Sequence, residues 1–372
     1  MPAPSRSKID DADLTLLRAA AENAGKIALS YMERPEVRAW DKTPGHPVTE
    51  ADLAVNAYLQ DALTLARPEY GWLSEETADT DDRLSRTRVF VVDPIDGTRA
   101  FIAGQPYWCV GLAVIEDGMP LVAVIHAPVL GETYDAVLGG GARLNGTRLS
   151  ASAQDKETDA RLIASKGLIK HPDWPAPWPK VQLVAPIPNA TLYRMALVAK
   201  GDADGTLSLA AKYDWDLAAG ALLVAEAGGR VTTHAGEPFV FNRTVPAQRS
   251  LVAAGKDLHP LLIERTKRVR LADPQAAAQQ NESEEGTAMA EAPAPQKQLL
   301  HIVIGGVLKD VSDVEFDDLS KIDFVGAYPN YAMAYDAWKS AAQRTVDNAE
   351  MRYFILHAHK LLDPETGVHH HA

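Results

Sequence analysis

The chain has 372 residues, 46% of them hydrophobic and 23% charged, with a formal net charge of −13. This is globular composition, and the length suits two or three domains rather than one. The acidic balance excludes a global basic field for a nucleic-acid polymer, and no apolar run approaches the ~18 residues of a membrane span.

Met1–Asp10 is polar and lacks an apolar signal core, and Cys109 is the only cysteine. No intrachain disulfide is possible, which fits a reducing compartment, so the expectation is a soluble, cytoplasmic protein. Asp10 and Asp11 can cap a helix whose apolar positions include Leu14, Leu17, Ala21, Ala24, Ala28 and Tyr31. Lys42 to Pro47 reads as a loop. Thr49-Glu50-Ala51-Asp52 opens a second helix with Val55, Leu59, Ala62, Leu63 and Ala66 on one face. Thr49 and Asp52 have capping-box spacing, and capping alone is a sufficient reason for Asp52. Gly71–Thr77 is a short apolar lead into two adjacent glutamates, Glu75 and Glu76, which by themselves read as solvated surface. Ala78–Arg88 is polar and acidic and reads as a solvent loop.

Val89–Val92 is a buried strand ending on Asp93; Pro94 lacks an N–H and is expected to stop the ladder. The turn then presents Asp96, Gly97 and Thr98. Two carboxylates on one strand-end loop can converge as oxygen ligands for a hard divalent cation such as Mg²⁺. Gly97 lets its backbone N–H approach an anion, and a helix starting near Thr98 adds unpaired N–H groups. An ordinary Asp-Pro turn is the plainer reading of the same residues.

Strands follow at Tyr107–Glu116, Pro120–Ala127 and Gly131–Val137, joined by an Asp117-Gly118 turn, with a further tight turn at Asn145-Gly146. Cys109 falls inside an apolar run as a core residue. Gly139-Gly140-Gly141 lacks the context of a phosphate cradle and reads as a loop or bulge. Arg161–Ala164 is a short strand, and His171–Pro179, with Trp174 and Trp178, is an irregular loop placed near the substrate opening. Asp202–Gly205 is a turn rather than a calcium loop. Tyr213-Asp214-Trp215-Asp216-Leu217 opens a helix through Ala225, ended by Gly228-Gly229. Asp216 is favoured in a first turn by the helix dipole alone. Ala272–Gln298 is a flexible linker without large apolar residues. Beyond it, strands at Leu299–Ile304, Ile322–Ala327 and Arg352–Lys360 and a helix at Tyr331–Val346 make a compact module. His357, His359 and His369–His371 read as surface or tail histidines.

DPIDGT at Asp93–Thr98 resembles the signature of the inositol monophosphatase superfamily of Mg²⁺-dependent, lithium-sensitive phosphatases. Thr49-x-x-Asp52, the Glu75-Glu76 pair, W-D-x-x-A-G at Trp215–Gly220 and E-A-G-G at Glu226–Gly229 resemble its other elements, in order, over roughly residues 8–270. The resemblance implies a layered αβαβα sugar-phosphatase fold of the α+β class, with a large antiparallel sheet and a second smaller one. The domain expectation is a phosphatase domain at 1–270, a linker at 271–298 and a small α+β module at 299–372, the last resembling a bacterial domain of unknown function. It further implies two or three Mg²⁺ ions held by Glu75, Asp93, the carbonyl of Ile95, Asp96 and Asp216. Water oriented by Glu75 and Thr98, with Asp52 behind Thr98, would attack a small-molecule phosphate monoester bound by Gly97, Thr98, Asp96 and Asp216, without a covalent phosphoenzyme. Arg99-Ala100-Phe101 matches neither the inositol phosphatase nor the nucleotidase pattern after D-G-T. The wider D-G-T-R-A-F-I-A-G resembles bacterial 3′(2′),5′-bisphosphate nucleotidases, with Arg194, Lys166 and Lys170 as candidates for a second phosphate. Inositol 1-phosphate, then histidinol phosphate, are the alternatives, and an inactive scaffold for the C-terminal module is the non-enzymatic one. The family's habit of pairing implies a homodimer.

Overall fold

The computed structural model describes residues 8–34, 37–43, 46–170, 174–271, 301–307, 309, 316–318, 321–328, 337 and 351–356. The chain divides into two compact units, 1–283 and 284–372. The expected linker Ala272–Gln298, the helix Tyr331–Val346 apart from residue 337, and His357, His359 and His369–His371 lie outside the described residues, as do Pro44, Gly45 and 171–173.

The first unit runs α1 (Lys8–Met32), β1 (Ala39–Thr43), β2 (His46–Thr49), α2 (Glu50–Ala66), β3 (Gly71–Ser74), β4 (Arg88–Asp96), α3 (Thr98–Ile102), β5 (Cys109–Glu116), β6 (Met119–Ala127), β7 (Glu132–Val137), β8 (Gly141–Leu144) and β9 (Thr147–Arg148). It continues with β10 (Arg161–Ile163), α4 (Lys166–Ile169), β11 (Gln182–Leu183), α5 (Thr191–Lys200), β12 (Gly205–Ser208), β13 (Lys212–Tyr213), α6 (Ala218–Glu226), β14 (Gly229–Thr232), β15 (Ala247–Gln248), β16 (Leu251–Gly255) and α7 (His259–Thr266). Strands β3 to β9 form a seven-stranded sheet in sequence order, parallel only between β3 and β4. A five-stranded mixed sheet has the order β11-β10-β12-β16-β14.

The layers follow from which faces are apolar. Leu17, Ala21, Ala24 and Ala28 of α1, with Val55, Leu59 and Leu63 of α2, pack on Phe90, Val92, Leu112 and Val124 of the large sheet. The opposite face, Val91, Ala113 and Ile125, packs on α5 and α6 through Leu192, Met195, Leu222 and Leu223, and Ala253 of the small sheet closes that core. Leu258 and Leu262, at the start of and within α7, cover the far side of the small sheet. This is the expected αβαβα order. In the second unit, β17 (His301–Val307) pairs antiparallel with β18 (Asp323–Tyr328) and β19 (Met351–Leu356).

Five local expectations need correction. Helix α1 starts at Lys8, so Asp10 does not cap it; Asp10 instead pairs with Arg88 at 3.0 Å. Lys42 and Pro47 are not loop residues: β1 and β2 form a hairpin in which Asp41 faces Pro47. Pro94 does not end its strand, because pairing skips Pro94 and Ile95 as a bulge and resumes at Asp96 opposite Cys109. Ala78–Arg88 is not all solvated: Arg83, in a short 3-10 helix at Asp81–Ser85, is 1% exposed. It forms a fork with Asp79 at 2.6 and 2.7 Å and donates to Asn242 at 2.7 Å. Finally, α6 begins at Ala218, and Tyr213 belongs to β13, paired with Ala247.

Candidate active site

The bulge in β4 does the local work. Asp93 sits opposite Gly111 and Asp96 opposite Cys109, and the two skipped residues return Asp96 to the same end of the strand as Asp93. Glu75 leaves the parallel neighbour β3 and its N–H donates to the Val92 carbonyl at 3.3 Å, beside Asp93. Asp216 arrives just ahead of α6, where its carboxylate accepts from the Tyr213 N–H at 2.9 Å. Asp93, Asp96 and Asp216 each offer an oxygen within 4.8 Å of one another. A cleft of about 230 Å³ is lined by these three with Glu75, Ile95, Gly97 and Thr98. Glu75 opens onto the same cleft but is held by Lys42, whose ammonium lies 2.8 Å from Glu75 Oε1 and 2.7 Å from Glu76 Oε1.

The two carboxylate oxygens of Asp52 face different partners. Its Oδ2 accepts from the Thr49 N–H at 2.9 Å and from the Thr49 hydroxyl, completing the capping box of α2. Its Oδ1 lies 3.2 Å from the Thr98 hydroxyl, which stands equally near the Ile95 carbonyl. Gly97 caps α3 at φ +95, and a Cβ there would lie 3.1 Å from the Ala190 Cβ and 3.2 Å from the Tyr107 carbonyl. That tight, left-handed turn suits glycine, and the first residues of α3, Thr98 and Arg99, line the cleft where the first N–H groups of a helix lack intrahelical acceptors.

The charges do not balance within the protein. Burial raises the Asp93 carboxyl well above the carboxylate range, and the neighbouring Glu75, Asp96 and Asp216 raise it further. Both Asp93 oxygens are buried without a hydrogen-bond partner. Burial, then Asp216, pushes Asp96 up to about 7, against N–H donation from Leu192 and Thr191. Asp216 is raised by burial and eased by Lys212. Burial also lifts Asp52 to about 6 and Glu76 to about 7, the latter against Lys42. A buried acid cluster whose central member has two unused oxygens fits a hard divalent cation, which takes oxygen ligands and removes the mutual repulsion.

Asp96 has a second task. Its Oδ1 accepts from the Thr191 N–H at 3.0 Å and its Oδ2 from the Leu192 N–H at 2.5 Å, so a cleft carboxylate caps α5. Gly111 permits this approach, because a Cβ there would meet Leu192 Cδ1 at 2.1 Å. Among the phosphate candidates, Lys166 and Lys170 are exposed and do not line the cleft. Arg194 does not line the cleft either; its Nε donates to the carbonyl of Pro188, the residue before the cleft residue Asn189, at 2.5 Å. Trp174 and Trp178 meet edge to face, Trp178 lies under Arg265, and neither lines the cleft. Lys42, His46 and Asn189 carried no sequence signal; each reaches the site or its rim only through chain folding.

Residues 10–271 match the Inositol monophosphatase family, and residues 299–358 match a Domain of unknown function (DUF4170). A histidinol-phosphatase of Chlorobaculum parvum is 33% identical over 58% of this chain and 84% of its own. An inositol-1-monophosphatase of Caulobacter vibrioides is 30% identical over 68% of this chain and 99% of its own. The crystal structure of the extragenic suppressor protein suhB from Bartonella henselae superposes with a TM-score of 0.58 at 29% identity, covering 70% of this chain and all of that one.

Proposed function

The chain belongs to the inositol monophosphatase family, whose members are phosphomonoester hydrolases, and on that premise we propose that it hydrolyses a small phosphate monoester with Mg²⁺. The observation that carries the proposal is Asp93, with two buried and unpartnered oxygens at the centre of an acid cluster. In this reading Asp93, Asp96, Asp216, Glu75 and the Ile95 carbonyl hold two or three ions. When bound, Mg²⁺ supplies Lewis-acid activation of water and neutralises charge at the phosphate. Glu75 and Thr98 orient the attacking water, and Asp52 fixes the Thr98 hydroxyl. The N–H groups of Gly97 and Thr98 bind the phosphate, and Asp96 and Asp216 would contribute to its binding through the cations that they hold. No residue here is assigned as a covalent nucleophile.

For the substrate, we favour a nucleoside 3′,5′-bisphosphate, cleaved to the 5′-monophosphate and phosphate. The Arg99-bearing motif supports this, as does Arg194, which has no carboxylate within ion-pair distance among the described residues. Inositol 1-phosphate is the second reading, favoured by the near full-length likeness to a protein named inositol-1-monophosphatase. Histidinol phosphate is the third, on the corresponding named relative. Lithium inhibition, a homodimer and a cytoplasmic setting belong to the same proposal, as does the division into a 1–270 catalytic body and a 299–372 module. Among the described residues, no helix is long and apolar enough to cross a membrane. Phosphate release from the three esters by wild type and by Asp93→Asn is the test. Equal rates end the catalytic assignment and favour a scaffold; the ester with the highest kcat/KM decides among the substrates.

A further inference from the structure

Beside the cleft lies an aromatic pair that the chemistry above leaves unused. Tyr213 and Trp215 stack with ring centroids 4.6 Å apart and planes 11° from parallel. Trp215 is half-buried against the core between the sheets, whereas Tyr213 is 51% exposed. The inner ring is thus covered and the outer ring is left facing water. A tyrosine that served only to shield the tryptophan needs no fixed backbone, yet this one has two restraints. Its strand pairs with Ala247–Gln248, and its N–H donates to the cleft carboxylate of Asp216 at 2.9 Å. The stack therefore stands at a set offset from a residue that lines the cleft. Lys212, the preceding residue, places its positive charge near both Asp96 and Asp216.

We infer that the exposed face of Tyr213 is a platform on which a planar heteroaromatic ring of the ester stacks as a third layer, so that the protein selects aromatic over polyol leaving groups. A purine continues such a pile because its π-face is complementary to tyrosine, and the interaction tolerates any base. A cyclohexane polyol has no such face. The inference rests on the phosphatase reading of the cleft and adds the class of leaving group to it. Two sources share the chemistry, a nucleobase and an imidazole, and the test separates them.

The full-length protein is assayed with Mg²⁺ on adenosine 3′,5′-bisphosphate, histidinol phosphate and inositol 1-phosphate, as wild type, Tyr213→Ala and Tyr213→Phe. The expected result is a fall of at least about fivefold in the kcat/KM ratio of the adenosine ester to inositol 1-phosphate in Tyr213→Ala, expressed through KM. Tyr213→Phe, which keeps the ring, restores it. A structural role lowers all three substrates alike and leaves the ratio unchanged, which overturns the platform. A fall seen only for histidinol phosphate assigns the ring to imidazole. Turnover of inositol 1-phosphate but of neither aromatic ester by wild type also overturns the platform, while the phosphatase reading stands. Should wild type release phosphate from none, that reading fails, and quenching of tryptophan emission by adenosine 5′-monophosphate tests the platform instead. Quenching lost in Tyr213→Ala supports it; equal quenching refutes it.

Discussion

Lys42 Nζ stands 2.8 Å from Glu75 Oε1, so a side-chain ammonium sits on a carboxylate that the proposed mechanism gives to a cation. The two compete for the same oxygen. Lys42→Met keeps the apolar stem and removes the competitor, so Mg²⁺ should bind more tightly. The pair is partly exposed, with Lys42 and Glu75 side chains 30% and 28% accessible, which limits its strength. An affinity gain of about two- to fivefold is expected by titration calorimetry. Unchanged or weaker binding would show that the ammonium assists the ion rather than displacing it.

Asp93→Asn removes a buried carboxyl that burial and its acidic neighbours hold against ionisation and that no partner in the protein relieves. Without metal at neutral pH, the variant should be more stable than wild type by about 1–2 kcal/mol, since folding must keep that carboxyl protonated where the unfolded chain would ionise it. With Mg²⁺ the order reverses, because wild type gains a cation that the variant binds poorly. Calorimetric melting with and without Mg²⁺ reads both. A variant that melts lower than wild type in chelator would contradict the electrostatic account.

The same acids set a pH dependence. In the unfolded chain they ionise near their ordinary values, 3.8 for an aspartate, whereas folding lifts Asp52 to about 6 and Asp96 to about 7. Between those limits the unfolded chain releases protons that the folded protein keeps. Their contribution to stability is therefore present below the ordinary value and is lost as pH rises toward the lifted one. Mg²⁺ replaces the protons, so the rise in Tm on adding it should be larger at about pH 7.5 than at about pH 5.5. An equal rise at both would mean that these carboxyls do not meet the ion.

Gly97→Ala places a Cβ at φ +95, 3.1 Å from the Ala190 Cβ. The strain should cost about 1–2 kcal/mol, seen as a lower urea midpoint. Phosphate release should fall by more than about tenfold, because the same turn aims the N–H groups assigned to the phosphate. Retention of full activity would remove Gly97 from the binding site.

Arg83→Met leaves Asp79, Asn242 and two carbonyls without their shared donor. Arg83 is buried but Asp79 is 34% accessible, so the loss should be about 1–3 kcal/mol, mostly from the acceptors left without a donor, while the cleft, built from other segments, keeps its activity per folded molecule. Urea unfolding followed by fluorescence measures the loss. A cost below about 1 kcal/mol would reassign Arg83 to a peripheral role.

The elements with strong periodicity were legible in the sequence, and so were the positions of the acids. The α1 stripe Leu17, Ala21, Ala24 and Ala28 is buried as its spacing requires, and Asp216 meets Asp93 and Asp96, which share β4, from a distant segment of the chain. What local reasoning misread was decided by tertiary contact. Pro94 cannot donate, but a two-residue bulge lets its strand continue past it. Arg83 looks like solvent from its acidic neighbours and is buried because Asn242, 159 positions away, receives it. Lys42 is an ordinary basic residue until the hairpin delivers it to Glu75. Asp52 shows that competing explanations need not exclude each other, since its two oxygens divide the tasks.

Asp96 spends its carboxylate on the N–H groups of Thr191 and Leu192, whereas Asp93 has no other employment in the fold. A descendant that abandoned catalysis could discard Asp93 at a profit in stability, but discarding Asp96 would uncap α5. The aspartate at position 96 should therefore outlive the activity in degenerate copies. Position 93 is the one to inspect when judging whether a related gene product still works.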